Sequence, residues 1–419
     1  MSVRVTHLDN GVTVATDEIP RVETVALGVF VGVGTRHEPA ELNGASHLLE
    51  HMALKGTASR SARDIAEEIE SVGGQLNAFT GRETTAFHAH VLKEHTGLAL
   101  DLLADVVRNP RLDEGELDRE RQVVLQEIGQ AHDTPDDIIF DHVQEVAFPD
   151  QGVGRPVLGR AANVAALTRD DLAAYMRRHY GAQRIVVAAA GKVGHDAFVE
   201  MARGHFADMP RTGDEAGEPA RYAGGDYREQ RDLEQVHLAL GLPGVGARDP
   251  RYYTAAVLAT LLGGGMSSRL FQKVREERGL VYTVFAFHSA AGDSGLFGVY
   301  AGTGADEVRD LIPVVCEEIA ACAREVSEAE LDRARAQLKA SILMSQESTT
   351  GRCEQLATHI LVHGRPVSTD EIVAGIDAVD REAVQGFAAE LSAGRPALVG
   401  LGPVGEVESL DSVAARFAA

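Results

Sequence analysis

The sequence predicts an α+β protein made of two homologous α/β-sandwich domains duplicated in tandem, each a mostly antiparallel sheet with helices packed on it. Three observations lead there. The chain resembles itself, since Thr24-Val-Ala-Leu-Gly-Val-Phe-Val-Gly-Val-Gly-Thr-Arg36 is similar to Gln235-Val-His-Leu-Ala-Leu-Gly-Leu-Pro-Gly-Val-Gly-Ala-Arg248. Glu116-Leu-Asp-Arg likewise matches Glu330-Leu-Asp-Arg, and the two offsets, 212 and 214 residues, nearly agree. Within each half, blocks of strand-like residues interleave with paired helices, which suits α+β sandwiches better than a regular parallel α/β fold. Between the halves, residues 209–226 (MPRTGDEAGEPARYAGGD) are rich in Pro, Gly and acids and have no apolar period, as a linker would. The expected division is therefore a domain over 1–208, a linker over 209–226 and a second domain over 227–419.

The elements follow in chain order. Asn10-Gly11 between two short runs marks a hairpin turn. Val22–Val33 and Leu76–Leu92 hold β-branched and apolar runs that read as strands. Ser61 and Asp64 form a capping pair that starts a helix, and Gly73-Gly74 stops it. Leu98–Val107 reads as a helix closed by Asn109-Pro110. A long amphipathic helix runs from about Glu114 to Gln130.

Composition bounds the function. Forty Lys and Arg stand against 63 Asp and Glu, a formal net charge of −23 that disfavours nucleic acid and anionic membranes. A basic peptide would be tolerated, or even attracted. No apolar run reaches the ~18 residues of a membrane span, and the N-terminal residues read as strand rather than as a signal or transit peptide. Cys316, Cys322 and Cys353 form no CxxC pair, as expected of reduced, buried thiols in a cytoplasmic protein.

His47-Leu-Leu-Glu50-His51 lies in a stretch of good helix formers ended by Gly56. Positions i, i+3 and i+4 share a helix face, so both imidazoles and one carboxylate stand together while Leu48, Leu49 and Met52 can face a core. Two such histidines can hold one Zn²⁺, and the neighbouring Glu can take a proton from water. Taken alone, the pentapeptide also fits a helix with two partly buried histidines. A catalytic zinc needs a third protein ligand. On the long helix, Glu120 and Glu127 lie seven apart on a face shared with Val123 and Val124. Carboxylates among valines call for a compensating charge, although a solvated acidic stripe would read the same way.

These motifs resemble those of the pitrilysin (M16) family of zinc metallopeptidases, in its short, two-domain, processing-peptidase-like branch. The resemblance rests on His47-x-x-Glu50-His51, on Glu127 placed 76 residues after His51, and on Glu120 seven before Glu127, and it spans both halves. It implies one Zn²⁺ per chain held by His47, His51 and Glu127, with Glu50 as general base and Glu120 orienting a ligand. Gln75-Leu-Asn77-Ala78-Phe79-Thr80 resembles the family's edge strand beside the zinc. A substrate adding to that strand gains main-chain hydrogen bonds, which makes Asn77, Ala78 and Phe79 candidates for substrate contact. In the second half, the offset carries Glu127 onto Ser341 and Glu120 onto Ala334, and the HxxEH helix onto Tyr253–Leu262, which has neither His nor Glu. No like metal site is expected there. What the resemblance assigns to this half is Arg275 and Tyr282, which would bind the substrate backbone and stabilise the oxyanion.

Gly263-Gly264-Gly265 reads as a flexible turn, because no Lys-Ser/Thr follows it. The pairs His88/His90 and His359/His363 lack an acidic third ligand and read as structural. The implied activity is a zinc endopeptidase acting on peptides or unfolded segments inside a dimeric clamshell, with a homodimer sufficient to build it. The alternatives are a processing-peptidase subunit that needs a different, non-catalytic partner, a non-catalytic structural homologue, and a metal-binding module without peptidase activity.

Overall fold

The computed structural model of the chain describes residues 3–212 and 217–418. Eleven strands are found among them: β1 (Val3–His7), β2 (Thr13–Glu18), β3 (Thr24–Val31), β4 (Gln75–Thr80), β5 (Thr85–Leu92), β6 (Ile185–Gly191), β7 (Gly225–Gln230), β8 (Val236–Gly244), β9 (Val281–Ala290), β10 (Gly295–Thr303) and β11 (Ala397–Gly402). They form two sheets, ordered β1-β2-β6-β3-β5-β4 and β7-β11-β8-β10-β9. Each sheet is antiparallel except at one place, β2 beside β6 in the first and β7 beside β11 in the second. Apart from the extra strand β1, the two orders match strand for strand, so the internal similarity of the sequence corresponds to a repeated topology.

Local chemistry explains the punctuation. Gly11, at φ +104°, turns β1 into β2, with His7 paired to Thr13. Ser61 accepts from the Asp64 N–H while Asp64 accepts from the Ser61 N–H, a reciprocal cap for the helix Ala62–Ser71. Gly73, at φ +69°, ends it.

Strand β3 shows why the sheets need two cores. Side chains alternate between faces, yet seven of its eight residues are buried. Val25, Leu27, Val29 and Val31 face one core, shared with Leu48, Leu49, Leu100 and Leu103 of the helices α1 (Ala45–Ala53) and α2 (Thr96–Arg108). Ala26 and Phe30 face the other, with Ala15, Ala86, Ala188 and Ala190. These alanines let a helix lie close, and that helix is Thr349–His363, which contributes Cys353, Leu356, Ala357 and Ile360.

The covering helix comes from the second half of the sequence. In return, α4 (Pro135–Ala147), which follows the long helix α3 (Glu114–His132), packs Ile139 and Val143 beside Ala239, Tyr300, Val399 and Leu401 of the second sheet. The compact units are accordingly interleaved: Met1–Gly129, Arg155–Glu218 and Met344–Val367 in one, Gln130–Gly154, Pro219–Leu343 and Ser368–Ala419 in the other. A contiguous division at 209–226 does not describe them. The physical reason is that each sheet is apolar on both faces, while the helices of its own half cover one. Of the expected linker, residues 213–216 lie outside the described residues, and β7 already begins at Gly225.

The three cysteines are free and buried, and burial pushes the Cys316 and Cys322 thiols up to about 12. Gly263 ends a helix against β9, where a Cβ would stand 2.2 Å from the Ala286 nitrogen. Close packing, rather than flexibility, accounts for a glycine at that position.

The exchange makes a prediction. Ala357 is fully buried against the alanine-lined face, so Ala357→Leu should overpack it and cost about 1–3 kcal/mol. Phe30→Ala, on the same face, should cost about 3–5 kcal/mol. Urea unfolding of both variants checks this; an unchanged midpoint for Ala357→Leu would contradict the tight packing.

Candidate metal centre

Helix α1 has nine residues, with Leu48, Leu49 and Met52 buried in the first core. The opposite stripe of the helix then necessarily carries His47, Glu50 and His51. Helix α3 aligns Glu120, Val124 and Glu127 on one face. Glu120 and Val124 are buried as expected, whereas Val123 is 38% exposed and does not share that environment.

The two helices bring three donors together. His47 Nε2 and His51 Nε2 each lie 3.7 Å from Glu127 Oε2. Donors about 2.0–2.1 Å from a tetrahedral zinc stand about 3.4 Å apart, so the spacing fits such an ion with little adjustment. His47, His51 and Glu127 are the one group of three or more potential ligands found within such range among the described residues. Glu127 Oε2 is buried without a hydrogen-bond partner. A buried acceptor left unsatisfied is costly, and a cation between it and the imidazoles would satisfy it.

The surrounding groups orient this set. Glu120 Oε2 lies 3.0 Å from His51 Nδ1. With Nδ1–H donating to that carboxylate, the lone pair on Nε2 is left for the metal side. The other Glu120 oxygen is 2.8 Å from Lys55 Nζ. Burial alone would raise the Glu120 carboxyl, but the bonds from Lys55 and His51 outweigh it and hold the group below its ordinary range. Burial acts the other way on His47, pushing its imidazole down to about 4, with His51 adding to the effect. Burial therefore favours the neutral imidazole of His47, the form that binds metal.

Glu50 is 8% exposed, and burial raises its carboxyl. Thr80 Oγ1 donates to Glu50 Oε2 at 2.6 Å and opposes that rise. Neither Thr80 nor Lys55 was expected at the site. Both had a sequence signal: Thr80 closes the strand segment expected beside the metal, and Lys55 lies four residues beyond His51.

Strand β4 is the edge of its sheet. Ala78 is half-buried, with Leu76, against the first core, whereas Asn77 and Phe79 are exposed on the other face. Asn77 Oδ1 accepts from the Ala78 N–H. In the other compact unit, Arg275 stacks over Tyr282, its guanidinium 5.4 Å from the ring centroid and 4.7 Å from that of Phe271. Tyr282 is 76% exposed at the start of the edge strand β9. The second-half counterparts of Glu120 and Glu127, Ala334 and Ser341, lie on a helix, Glu328–Ser345, without His.

His88 and His90 share a face of β5 turned to the helix Thr349–His363, and His90 Nε2 is 3.3 Å from Thr349 Oγ1. The rings of His359 and His363 are 6.0 Å apart. Neither pair belongs to a three-donor group among the described residues. No helix among those residues is long and apolar enough to cross a membrane.

Comparison with known proteins adds the following. Residues 13–161 match the family model "Insulinase (Peptidase family M16)", and residues 166–338 match "Peptidase M16 inactive domain". The chain is 39% identical to an uncharacterized zinc protease of Bacillus subtilis over 402 residues, covering 96% of this chain and 98% of that protein. It is also 39% identical to a probable mitochondrial-processing peptidase subunit beta of Arabidopsis thaliana, over 91% of this chain and 75% of that one. Among solved structures, a chain of complex III2 from Candida albicans shares the fold, with a TM-score of 0.87, 22% identity and 99% of each chain covered.

Metal removal exposes the cost of burying His47. Its value in the fold, about 4, lies below the ordinary 6.5, so the folded, zinc-stripped protein binds fewer protons than the unfolded chain in that window. The stabilising contribution is full above pH 6.5 and is lost as pH falls through 4, up to about 3 kcal/mol. The unfolding midpoint of zinc-stripped protein should fall across that range, and His47→Asn should flatten the slope. Equal slopes in a pH series of thermal melts would contradict this.

Proposed function

The chain belongs to peptidase family M16, and on that premise we propose that it is a zinc-dependent endopeptidase that hydrolyses peptides or unfolded segments. The observation that carries this reading is the convergence of His47 Nε2, His51 Nε2 and Glu127 Oε2, with the buried Glu50 on the same helix face. One Zn²⁺ there would supply Lewis-acid chemistry, polarising a scissile carbonyl and making an attacking water more acidic.

The chain's own residues do the rest. Glu50, raised by burial and restrained by Thr80, takes the proton of the attacking water and passes it to the leaving amine. Glu120, neutralised by Lys55, keeps His51 in the ligating tautomer. The substrate lies extended against the free edge of β4, where Asn77, Ala78 and Phe79 contact it and main-chain pairing makes binding tolerant of sequence. Arg275 and Tyr282, already paired, supply a cation and an O–H to the oxyanion and the substrate backbone. We further propose that two copies of the chain enclose the peptide and that the protein works in the cytoplasm. The similarity to a peptidase subunit designated beta favours a second reading, in which a different partner chain presents the substrate; co-purification of a second polypeptide would reveal it.

The first experiment is cleavage of quenched-fluorescent peptides by the zinc-loaded protein and by Glu50→Gln, with zinc content measured in both. Cleavage should fall by at least about a thousandfold with zinc retained; equal cleavage by the two would refute the assignment. Thr80→Val removes a bond that holds Glu50 down, so the acidic limb of the kcat/KM profile should move to higher pH. Tyr282→Phe should lower kcat about 100–1,000-fold, and a change in KM alone would remove Tyr282 from the chemistry.

A further inference from the structure

One buried carboxylate plays no part in the chemistry above. Glu38 precedes α1 and is 3% exposed. Its Oε1 accepts from the Ser46 backbone N–H at 2.6 Å. Its Oε2 accepts from the Gly44 N–H and from Asn43 Nδ2, each at 2.9 Å. Gly44 is the N-cap residue just before α1, so this carboxylate covers free N–H groups at the start of the helix that carries His47, Glu50 and His51.

The helix cannot supply such a cap itself. Gly44 has φ +105°, and a Cβ on it would stand 2.8 Å from Val164 Cγ2 and 3.1 Å from Gly159 Cα. A Ser, Thr or Asp at that position, the usual way to cap a helix, is excluded by both conformation and space. The first turn contains no acid either. Helix α1 has only nine residues, too few to hold its geometry by propensity alone.

The loop that delivers Glu38 is fastened on its far side. Arg155 donates to the Glu38 carbonyl at 2.6 Å, and Asn43 Nδ2 also donates to the Pro156 carbonyl at 3.1 Å. Ser46 Oγ and Tyr175 Oη lie 2.8 Å apart. The helix start is therefore gripped from several sides, with the Glu38 carboxyl accepting from the Gly44 and Ser46 N–H groups.

We propose that Glu38 is a positioning residue, capping α1 in place of the side chain Gly44 lacks and so fixing where His47, next to Ser46, presents its ligating nitrogen. This rests on the metal-centre reading of His47, His51 and Glu127. Both Glu38 oxygens face N–H donors, so Glu38→Gln must turn its NH₂ toward one of them whichever way the amide lies. The substitution keeps the volume and removes one acceptor. Glu38→Asp keeps the charge but is one methylene short.

The test compares wild type, Glu38→Gln and Glu38→Asp by three readouts. These are hydrogen exchange of the metal-free protein over residues 44–53, zinc affinity by competition with a chromophoric chelator, and the d–d spectrum of the Co²⁺-loaded protein. In Glu38→Gln, exchange over α1 should quicken at least tenfold, zinc should bind about tenfold more weakly, and the cobalt bands should shift. Glu38→Asp should fall between the two, and it decides by the same readouts if Glu38→Gln does not fold. Zinc affinity and cobalt bands equal to wild type would overturn the proposal, even with faster exchange, because Glu38 would then support the fold without setting the ligand. A wild type that binds no zinc would sink the metal-centre reading and this inference with it, whereas a zinc-binding wild type matched by Glu38→Gln sinks this inference alone.

Discussion

Everything in this protein depends on burying both faces of a sheet whose strands are apolar on each side. A strand such as β3, with Val25, Leu27, Val29 and Val31 on one face and Ala26 and Phe30 on the other, cannot leave either face to water. At about 25 cal/mol per Å² of apolar surface, an uncovered face would cost several side chains' worth of burial. The first core is filled by α1 and α2, and this fixes the orientation of α1: with Leu48, Leu49 and Met52 committed inward, His47, Glu50 and His51 share the remaining stripe. The metal site is thus a by-product of core packing, refined by polar contacts.

Those contacts work because His47, Glu50 and Glu120 are buried. Low local polarity drives His47 toward its neutral form, raises Glu50, and would raise Glu120 were it not held by Lys55 and His51. Three carboxylates, Glu50, Glu120 and Glu127, converge on the two imidazoles, of which His47 is held neutral by burial. A dication together with the Lys55 ammonium balances them in number. The arrangement asks for a cation, and its hydrogen bonds, such as Glu120 to His51, prepare the ligands to receive one.

Much of this was legible in the residues. The duplicated segments around Arg36 and Arg248 announced a repeated topology, and the i, i+3, i+4 spacing of His47, Glu50 and His51 placed them on one helix face. Glycines and caps, such as Gly11 and Ser61/Asp64, marked turns by mechanism. What escaped was long-range. Nothing local to Pro135–Ala147 or Thr349–His363 says which sheet each will cover, because an amphipathic helix fits either apolar face. Val123 was misplaced because a helix stripe is wider than the buried contact. Thr80 and Lys55 were missed because a hydroxyl or an amine acquires its role only from the partner that folding brings to it.

The interleaving also bears on how such a chain could have arisen. If each half descends from one shorter sequence, that ancestor carried a helix matching both α4 and Thr349–His363, and folded alone it had a sheet face to cover. Two copies trading that helix would have solved the problem for both, and fusing the genes would have made the trade permanent. Once joined, one copy could do without the acidic pair, as Ala334 and Ser341 in place of Glu120 and Glu127 illustrate, since its remaining obligation would be to complete its sibling's fold.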